Sequence, residues 1–253
     1  MRVVFLGTGT STGVPMIGCH CEVCASDNPK DHRSRTSLYI ESGHTKIVFD
    51  TGPDFRMQML ANRLEDLDAV VFTHNHKDHT AGLDDIRPIN HLKGKVIGVY
   101  AEPNVQETLE REYAYIFKEK DYPGIPQITM QTISTDPFSI GDIDLIPIRV
   151  WHMRLPVLGF RIGDFTYITD ANRIEPEEME KIKGSKVLVL NALRHTAHYS
   201  HFSLKEALEI IEIVQPEQAF LTHISHHLGL HDTQQALLPN GVSLAYDGLE
   251  WVV

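Results

Sequence analysis

The sequence concentrates metal-ligating side chains in HNHKDH, residues 74–79, directly after the apolar run VVFT. Side chains alternate along an extended chain, so His74 and His76 face the same side and can bind one cation. Asp78 and His79 follow beyond the predicted strand, where a turn can direct them to a second cation. Imidazole and carboxylate groups together suit zinc, manganese or iron. This stretch therefore predicts a centre of two metals.

Three further apolar runs end in a possible ligand: IRVWH at His152, FTYITD at Asp170 and AFLTH at His223. Strand ends are rigid, and side chains from several of them can converge on one point. A single histidine in such a place is more often a hydrogen-bonded core residue. Packing alone, however, gives no reason to place the polar groups of HNHKDH beside a buried run. We therefore interpret the three strand ends as the remaining ligands.

All three cysteines, Cys19, Cys21 and Cys24, fall in GCHCEVC. An odd number in so short a window is typical of a metal site in a reducing compartment, not of a disulfide framework. Three thiolates are one ligand short of a tetrahedral structural zinc. The fourth ligand must come from elsewhere in the chain. The candidate histidines are His20, His32, His226 and His227.

Short β-branched runs bounded by turn residues recur along the chain and predict about ten strands. In SLKEALEIIEIV, Ser203 and Glu206 form a capping-box pattern ahead of helical periodicity, and a second helix is predicted from Pro103 in PNVQETLEREYAYIFKEK. Proline and glycine predict an irregular excursion over 118–132. Runs of strands with occasional helices favour two packed sheets with helices outside.

Composition limits the possible functions. The chain has 253 residues, of which 42% are hydrophobic and 23% charged, which fits one domain over 1–253. Its formal charge of −11 argues against binding long nucleic acid, which needs many lysines and arginines on phosphates. We expect no membrane span and no signal peptide, hence a cytoplasmic protein. A homodimer is the commonest oligomer and our expectation.

The stretch THNHKDHTAGLDD resembles the H-x-H-x-D-H signature of the metallo-β-lactamase superfamily, and the likeness extends from Met1 to about Trp251. The resemblance implies an α/β fold, an αββα sandwich of two mixed β-sheets flanked by helices. It implies a first metal held by His74, His76 and His152, a second held by Asp78, His79 and His223, and Asp170 bridging the two. Asp170 stands where several true β-lactamases have cysteine, which argues against antibiotic hydrolysis.

The cysteine cluster, which follows the turn GTGTSTGVP, is similar to that of the PhnP-like phosphodiesterase subfamily. There, a histidine three residues after the last active-site histidine completes a structural zinc site, which implies His226 here. The glycines lack the lysine of a P-loop, so we interpret them as a tight turn beside the metals. Superfamily phosphodiesterases also carry a histidine that contacts the phosphate or protonates the leaving oxygen. We assign this role to His201, with His195 and His198 as alternatives.

The chemistry that follows is hydrolysis of a phosphodiester. Two metals about 3.5–4 Å apart can share a hydroxide and clamp a phosphoryl group. We expect a phosphodiesterase for a small, cyclic substrate, with two active-site metals (manganese or zinc) and one structural zinc. Asp78 would also steer the hydroxide, and His201 would act as general acid. Asp50 is predicted either to orient a ligand histidine or to cap the turn after it.

Two alternative functions remain open. One is a tRNA 3′-processing endonuclease similar to ribonuclease Z, although its basic, glycine-rich arm is not visible in this sequence. The other is a non-catalytic carrier resembling a family of proteins of pyrroloquinoline quinone biosynthesis, which has a similar cysteine cluster. The complete set of seven ligands from His74 to His223 favours an enzyme over a carrier.

Overall fold

Two β-sheets lie face to face at the centre of the molecule, whose computed structural model describes residues 1–118 and 124–253. The strands in chain order are β1 Arg2–Gly7, β2 Ser37–Ser42, β3 Thr45–Phe49, β4 Ala69–Val71, β5 Ile97–Ala101, β6 Ile128–Thr132, β7 Phe138–Ile140, β8 Ile143–His152, β9 Leu155–Ile162, β10 Phe165–Ile168, β11 Arg173–Ile174, β12 Val187–Asn191, β13 Gln218–Thr222, β14 Val242–Leu244 and β15 Glu250–Val252.

Both sheets are mixed. The first has the order β15-β1-β2-β3-β4-β5-β6 and is antiparallel from β15 to β3 and parallel from β3 to β6. The second has the order β11-β8-β9-β10-β12-β13-β14, with β7 also paired to β8. It is parallel from β10 to β14 and antiparallel elsewhere. The predicted pair of mixed sheets is confirmed.

Helices cover the outer faces of the sheets. They are α1 Phe55–Ala61, α2 Lys77–Thr80, α3 Arg87–Lys93, α4 Pro103–Glu112, α5 Ala114–Lys118, α6 Pro176–Ile182, α7 Leu204–Val214 and α8 His231–Gln235. Short 3₁₀ turns lie at Pro29–Asp31, Leu83–Ile86 and His226–Leu228. No helix of the described residues has the length and apolar character needed to cross a bilayer.

Three apolar layers hold these elements together. Between the sheets, the ring of Phe49 packs on Phe160 and Tyr167, with centroid distances of 5.1 and 5.4 Å. Outside the first sheet, α1, α3 and α4 bury Phe55 and Leu109, among other residues. Outside the second sheet, α6 and α7 contribute a separate cluster. This four-layer arrangement is the αββα sandwich of the metallo-β-lactamase fold, as predicted.

The capping box predicted for α7 is present. The backbone N–H of Glu206 donates to Ser203 Oγ at 3.4 Å, and the N–H of Ser203 donates to Glu206 Oε2 at 2.8 Å. Ser203→Ala removes one of these bonds and should lower the free energy of unfolding by about 1 kcal/mol. Urea denaturation measures this. Lys205→Ala, an exposed change two residues further on, should stay within about 0.5 kcal/mol of the parent, and an equal loss there would contradict the cap assignment.

Two predictions of local structure were wrong in part. The helix from Pro103 is not continuous: α4 ends at Glu112, and α5 begins only after Tyr113, whose φ of −109° and ψ of 39° are not helical. The excursion over 118–132 ends in a regular strand, because β6 pairs in parallel with β5. Residues 119–123 of that excursion lie outside the described residues.

Candidate metal centre

The predicted ligands converge at one edge of the sandwich, where strands of both sheets end. His152 is the last residue of β8, and His223 directly follows β13. Asp170 lies two residues beyond β10, and His74 three beyond β4. The single turn of α2 then carries the remaining acidic and basic ligands, His76 being its N-terminal cap and Asp78 and His79 lying within it.

Asp170 lies at the centre of this cluster. Its Oδ1 is 3.0 Å from Nε2 of His223, and its Oδ2 is 3.3 Å from Nε2 of His79 and 3.5 Å from Nε2 of His74. Asp78 Oδ2 lies 3.3 Å from His79 Nε2. Possible ligand atoms form three sets here, and within each set the atoms lie within 4.8 Å of one another. All three sets include Asp170. They are Asp78, His79, Asp170 and His223; His74, His76 and Asp170; and His152, Asp170 and His201.

The donor set fits divalent cations. The Nε2 atoms of His74, His79 and His223 are buried and have no hydrogen-bond partner. A buried polar atom left without a partner costs about 1–3 kcal/mol, so three of them around one carboxylate need an explanation. A cation bound to them supplies it, and imidazole with carboxylate is a suitable ligand mixture. The seven residues predicted as metal ligands are thus brought together.

Hydrogen bonds on the opposite ring nitrogens fix how three of the predicted ligands, His74, His79 and His152, point. Nδ1 of His79 donates to Asp50 Oδ2 at 2.7 Å. Thr73 donates its hydroxyl proton to the same oxygen at 2.8 Å and accepts from Nδ1 of His74 at 2.9 Å. Nδ1 of His152 donates to the carbonyl of Ser200 at 2.8 Å. Each ring therefore presents Nε2 to the cluster, an arrangement typical of metal-bound imidazoles.

Asp50 contacts one predicted ligand, His79, and also Thr73, the residue before the predicted ligand His74. Its Oδ1 accepts from the backbone N–H of Thr73 at 2.8 Å, in addition to the bonds to Oδ2. Of the two roles predicted for it, the structure places this carboxylate against His79, as orientation of a ligand requires. The contribution of Thr73 was not anticipated. Its signal in the sequence is a threonine directly before three of the four strand-end ligands, in FTH, ITD and LTH.

The electrostatics of this cluster are those of a cation site. Burial lowers the pKa of His74 well below its ordinary value, which leaves a neutral ring with a free lone pair. Burial also opposes protonation of His79, but the carboxylates of Asp170, Asp50 and Asp78 outweigh it and raise that pKa well above the ordinary value. A proton therefore lies where positive charge is favoured, and a cation can replace it.

Backbone strain accompanies the ligands. Asp50, Asp170 and His223 have φ of 62°, 53° and 55°, in the left-handed region that residues other than glycine rarely adopt. Each stands within two residues of the end of a strand. The left-handed residue turns the chain sharply at the end of its strand. Such outliers cluster at functional sites.

Of the three histidines considered for the phosphate, His201 lies nearest to the cluster. Its ring centroid is 4.5 Å from that of His152 and 4.6 Å from that of His223. Burial, reinforced by His223, lowers its pKa to about 2, so the ring is neutral in the metal-free protein. General-acid catalysis by His201 therefore stays a prediction. The ring centroid of His198 lies 5.3 Å from that of His201, and Nε2 of His195 lies 2.9 Å from the side-chain oxygen of Gln234.

The cysteine cluster has a histidine beside it. Nδ1 of His226 lies 3.4 Å from Sγ of Cys19 and 3.3 Å from Sγ of Cys21, and Cys24 completes a set of four within 4.8 Å. We call these four residues the cysteine clip. Of the candidate fourth ligands, His226 is thus the one that lies with the thiols. His32 instead bonds the carbonyl of Ser26 at 2.8 Å.

Backbone amides favour a thiolate in the clip. The N–H of Cys24 donates to Sγ of Cys21 at 3.5 Å, and this bond, together with His226, lowers the pKa of Cys21 to about 6. Burial raises the pKa of Cys24 to about 11, while the N–H of Met16 donates to its sulfur at 3.4 Å. A bound cation would deprotonate all three thiols, since metals bind the thiolate form.

The glycine-rich turn after β1 joins the two sites. The N–H of Thr10 donates to the carbonyl of Ile224 at 3.1 Å, and the N–H of Ile224 donates to the carbonyl of Thr8 at 2.8 Å. This pairing fixes the segment between His223 and His226. Glycine is required at Gly52, because a Cβ atom there would lie 2.2 Å from the carbonyl oxygen of Asp78.

A family model and solved structures both relate this chain to one superfamily. A family described as "Beta-lactamase superfamily domain" matches residues 45–224. The crystal structure of a "New Diphosphatase from the PhnP Family" superposes with a TM-score of 0.93 at 35% identity, over 100% of this chain and 97% of that one. Zn(2+)-bound PqqB from Methylobacterium extorquens superposes with a TM-score of 0.83 over 100% of both chains, but at 19% identity, so this likeness shows the fold alone.

A curated relative carries a different name. An "Octanoyltransferase" of Porphyromonas gingivalis is 41% identical over 100% of this chain, which covers 52% of that protein. The chain spans about half the length, or less, of the curated relatives that it matches.

Proposed function

The chain belongs to the metallo-β-lactamase superfamily and, within it, to the PhnP family, and from this premise we propose that it hydrolyses a small phosphodiester. The observation that carries the proposal is the shared position of Asp170, whose carboxylate faces three buried Nε2 atoms without partners. Two divalent cations held there, manganese or zinc, would supply Lewis acidity and a nucleophile at neutral pH.

The residues of the chain have separate tasks in this proposal. Asp170 would hold both halves of the centre together, since all three sets of possible ligand atoms at this centre include it. Asp78, on α2, would help to hold one half of the centre and would steer the attacking oxygen. His201 lies against both His152 and His223, where it can hold an oxygen of the phosphate or of the leaving group. Asp50 and Thr73 keep two of the ligand rings in place.

A small substrate agrees with the charge of the protein. The formal charge of −11 would repel a long polyanion, whereas a single phosphate can be held by the cations. A cyclic diester, such as a phosphoribosyl or nucleoside 2′,3′-cyclic phosphate, is the class that we favour. We also propose that the cysteine clip holds one structural zinc.

A diphosphate is the second candidate substrate, because the PhnP-family structure that resembles this chain is named as that of a diphosphatase. Its phosphorus centre would need the same clamp. Octanoyl transfer is a poorer assignment. All three cysteines lie in the clip, so none stands at the metal centre as an acyl acceptor. The match also leaves 48% of the octanoyltransferase uncovered, and that part can carry the named activity.

Metal analysis with an activity assay tests the proposal. Protein purified without chelator should contain about three metals per chain, two in the centre and one in the clip. It should hydrolyse bis(p-nitrophenyl) phosphate, lose this activity on treatment with a chelator and regain it with manganese or zinc. Precursor tRNA should remain uncut. A single zinc and no turnover of any diester or diphosphate would contradict the proposal and favour a carrier protein.

A further inference from the structure

The threonine before Asp170 bonds the carboxylate that follows it. The hydroxyl of Thr169 donates to Oδ1 of Asp170 at 2.8 Å, and Thr169 is fully buried. Apart from the ligand histidines, this hydroxyl is the one group that bonds the carboxylate in the part of the chain that the structure describes. Hydrogen bonds to an ionised acceptor are about twice as strong as those between neutral groups. Thr169 therefore restrains Asp170 at one of its two oxygens.

The two oxygens of Asp170 have different surroundings. Oδ1 faces His223, whereas Oδ2 faces His79 and also His74. His79 and His223 belong to one set of possible ligand atoms, and His74 belongs to another. A carboxylate can bind a cation through one oxygen or through both. The half of the centre that contains His79 and His223 can therefore take both oxygens and leave none for the other half.

We propose that Thr169 is a positioning residue that keeps Asp170 shared between two cations instead of bound to one. The inference rests on the metal centre of the proposed function. The hydroxyl proton of Thr169 occupies a lone pair of Oδ1, so a cation beside His223 must compete with that proton for this oxygen. Among the described residues no hydroxyl or amide donates to Oδ2, which is left for both halves. Without the hydroxyl, one cation can take both oxygens, and the half that contains His74 loses its share.

Thr222 supplies a matched control. It directly precedes the ligand His223, as Thr169 precedes Asp170, and it is equally buried. Its hydroxyl oxygen, however, has no hydrogen-bond partner among the described residues. Valine has nearly the shape of threonine, so Thr222→Val removes a hydroxyl that bonds no ligand, whereas Thr169→Val removes one that does. Comparison of the two variants isolates the hydrogen bond from the change in polarity beside the centre.

Calorimetric titration with manganese tests the proposal, on protein whose metal centre has been emptied by dialysis against a chelator. The parent should bind two manganese ions at this centre. Thr169→Val should bind the first ion with unchanged affinity and the second about 10–100-fold more weakly. Thr169→Ser, which keeps the hydroxyl, and Thr222→Val should each behave as the parent. In the diesterase assay, a manganese concentration raised by the same factor should restore kcat of Thr169→Val.

The pattern of losses separates this role from a general effect on stability. Equal weakening of both ions in Thr169→Val, or no weakening of either, would overturn the inference. An equal loss in Thr222→Val, or a parent that binds a single manganese ion, would overturn it as well. Thr169→Ala removes the same hydroxyl and gives the same test if the valine variant does not fold.

The titration needs no substrate, so it also separates this inference from the proposed function. Selective loss of the second ion in Thr169→Val, in a protein that hydrolyses no diester, would support the role of Thr169 and reject the phosphodiesterase. Diester hydrolysis by a parent with two bound ions, and identical binding by Thr169→Val, would support the phosphodiesterase and overturn the role of Thr169.

Discussion

Replacing Asp170 by alanine is expected to abolish hydrolysis while the protein stays folded and keeps zinc in its clip. The carboxylate faces both halves of the centre, with oxygens 3.0 Å from His223 and 3.3 Å from His79, so neither cation keeps its full ligand set without it. We expect kcat on bis(p-nitrophenyl) phosphate to fall by about 1,000-fold or more. Elemental analysis should show about one metal per chain, the structural zinc.

Two further variants make this result specific. Asp170→Asn preserves the shape of the side chain and removes its charge, so it should also be inactive. Asp164→Asn changes the same residue type beside the start of β10, where Asp164 pairs with Lys186 at the surface, and should retain full activity. Substantial turnover by either Asp170 variant would mean that the centre does not depend on a shared carboxylate.

The second large effect concerns the clip. Cys21→Ser should release the structural zinc and lower the free energy of unfolding by about 3 kcal/mol or more. The clip packs into a small apolar cluster whose buried residues, in the described part of the chain, are Val14, Val23 and Cys24. Metal binding must therefore supply most of its stability. Thermal unfolding with zinc analysis measures both changes.

Variants at neighbouring histidines identify the fourth ligand of the clip. His226→Ala should resemble Cys21→Ser, since Nδ1 of His226 lies 3.3 Å from that sulfur. His20→Ala, a change between two of the cysteines, should keep the zinc and the stability of the parent. Unchanged zinc content and melting temperature in Cys21→Ser would show that the clip binds no structural metal.

The fold was predictable where local pattern determines it. The capping box before α7 and the pair of mixed sheets agree with the sequence. The strands that escaped prediction depend on distant partners. β6 is mostly exposed and follows a segment rich in proline and glycine, so only its pairing with β5 makes it a strand. The break at Tyr113 is likewise tertiary, because its hydroxyl donates to the carbonyl of Thr80 at 2.8 Å.

The candidate site shows the same division. HNHKDH is a local motif, and its residues lie together as their spacing predicts. The position of His226 beside Cys21 joins residues 205 apart in the chain, and it depends on the pairing of Thr8 and Thr10 with Ile224. Residue spacing alone left four histidines open for that place. Distances in the structure also rank His195, His198 and His201 by their proximity to the metal centre. The sequence does not rank these three candidates for the phosphate contact.

The left-handed backbone at Asp50, Asp170 and His223 lowers the stability of the fold at the residues that build the metal centre. Each such residue costs about 1–2 kcal/mol that glycine would not. In the bound state, cations offset this cost together with that of the buried ring nitrogens. A duplicated copy released from catalysis could relieve both costs with glycine, asparagine or apolar residues. Inactive descendants of this chain should therefore withstand heat better than their metal-free ancestor.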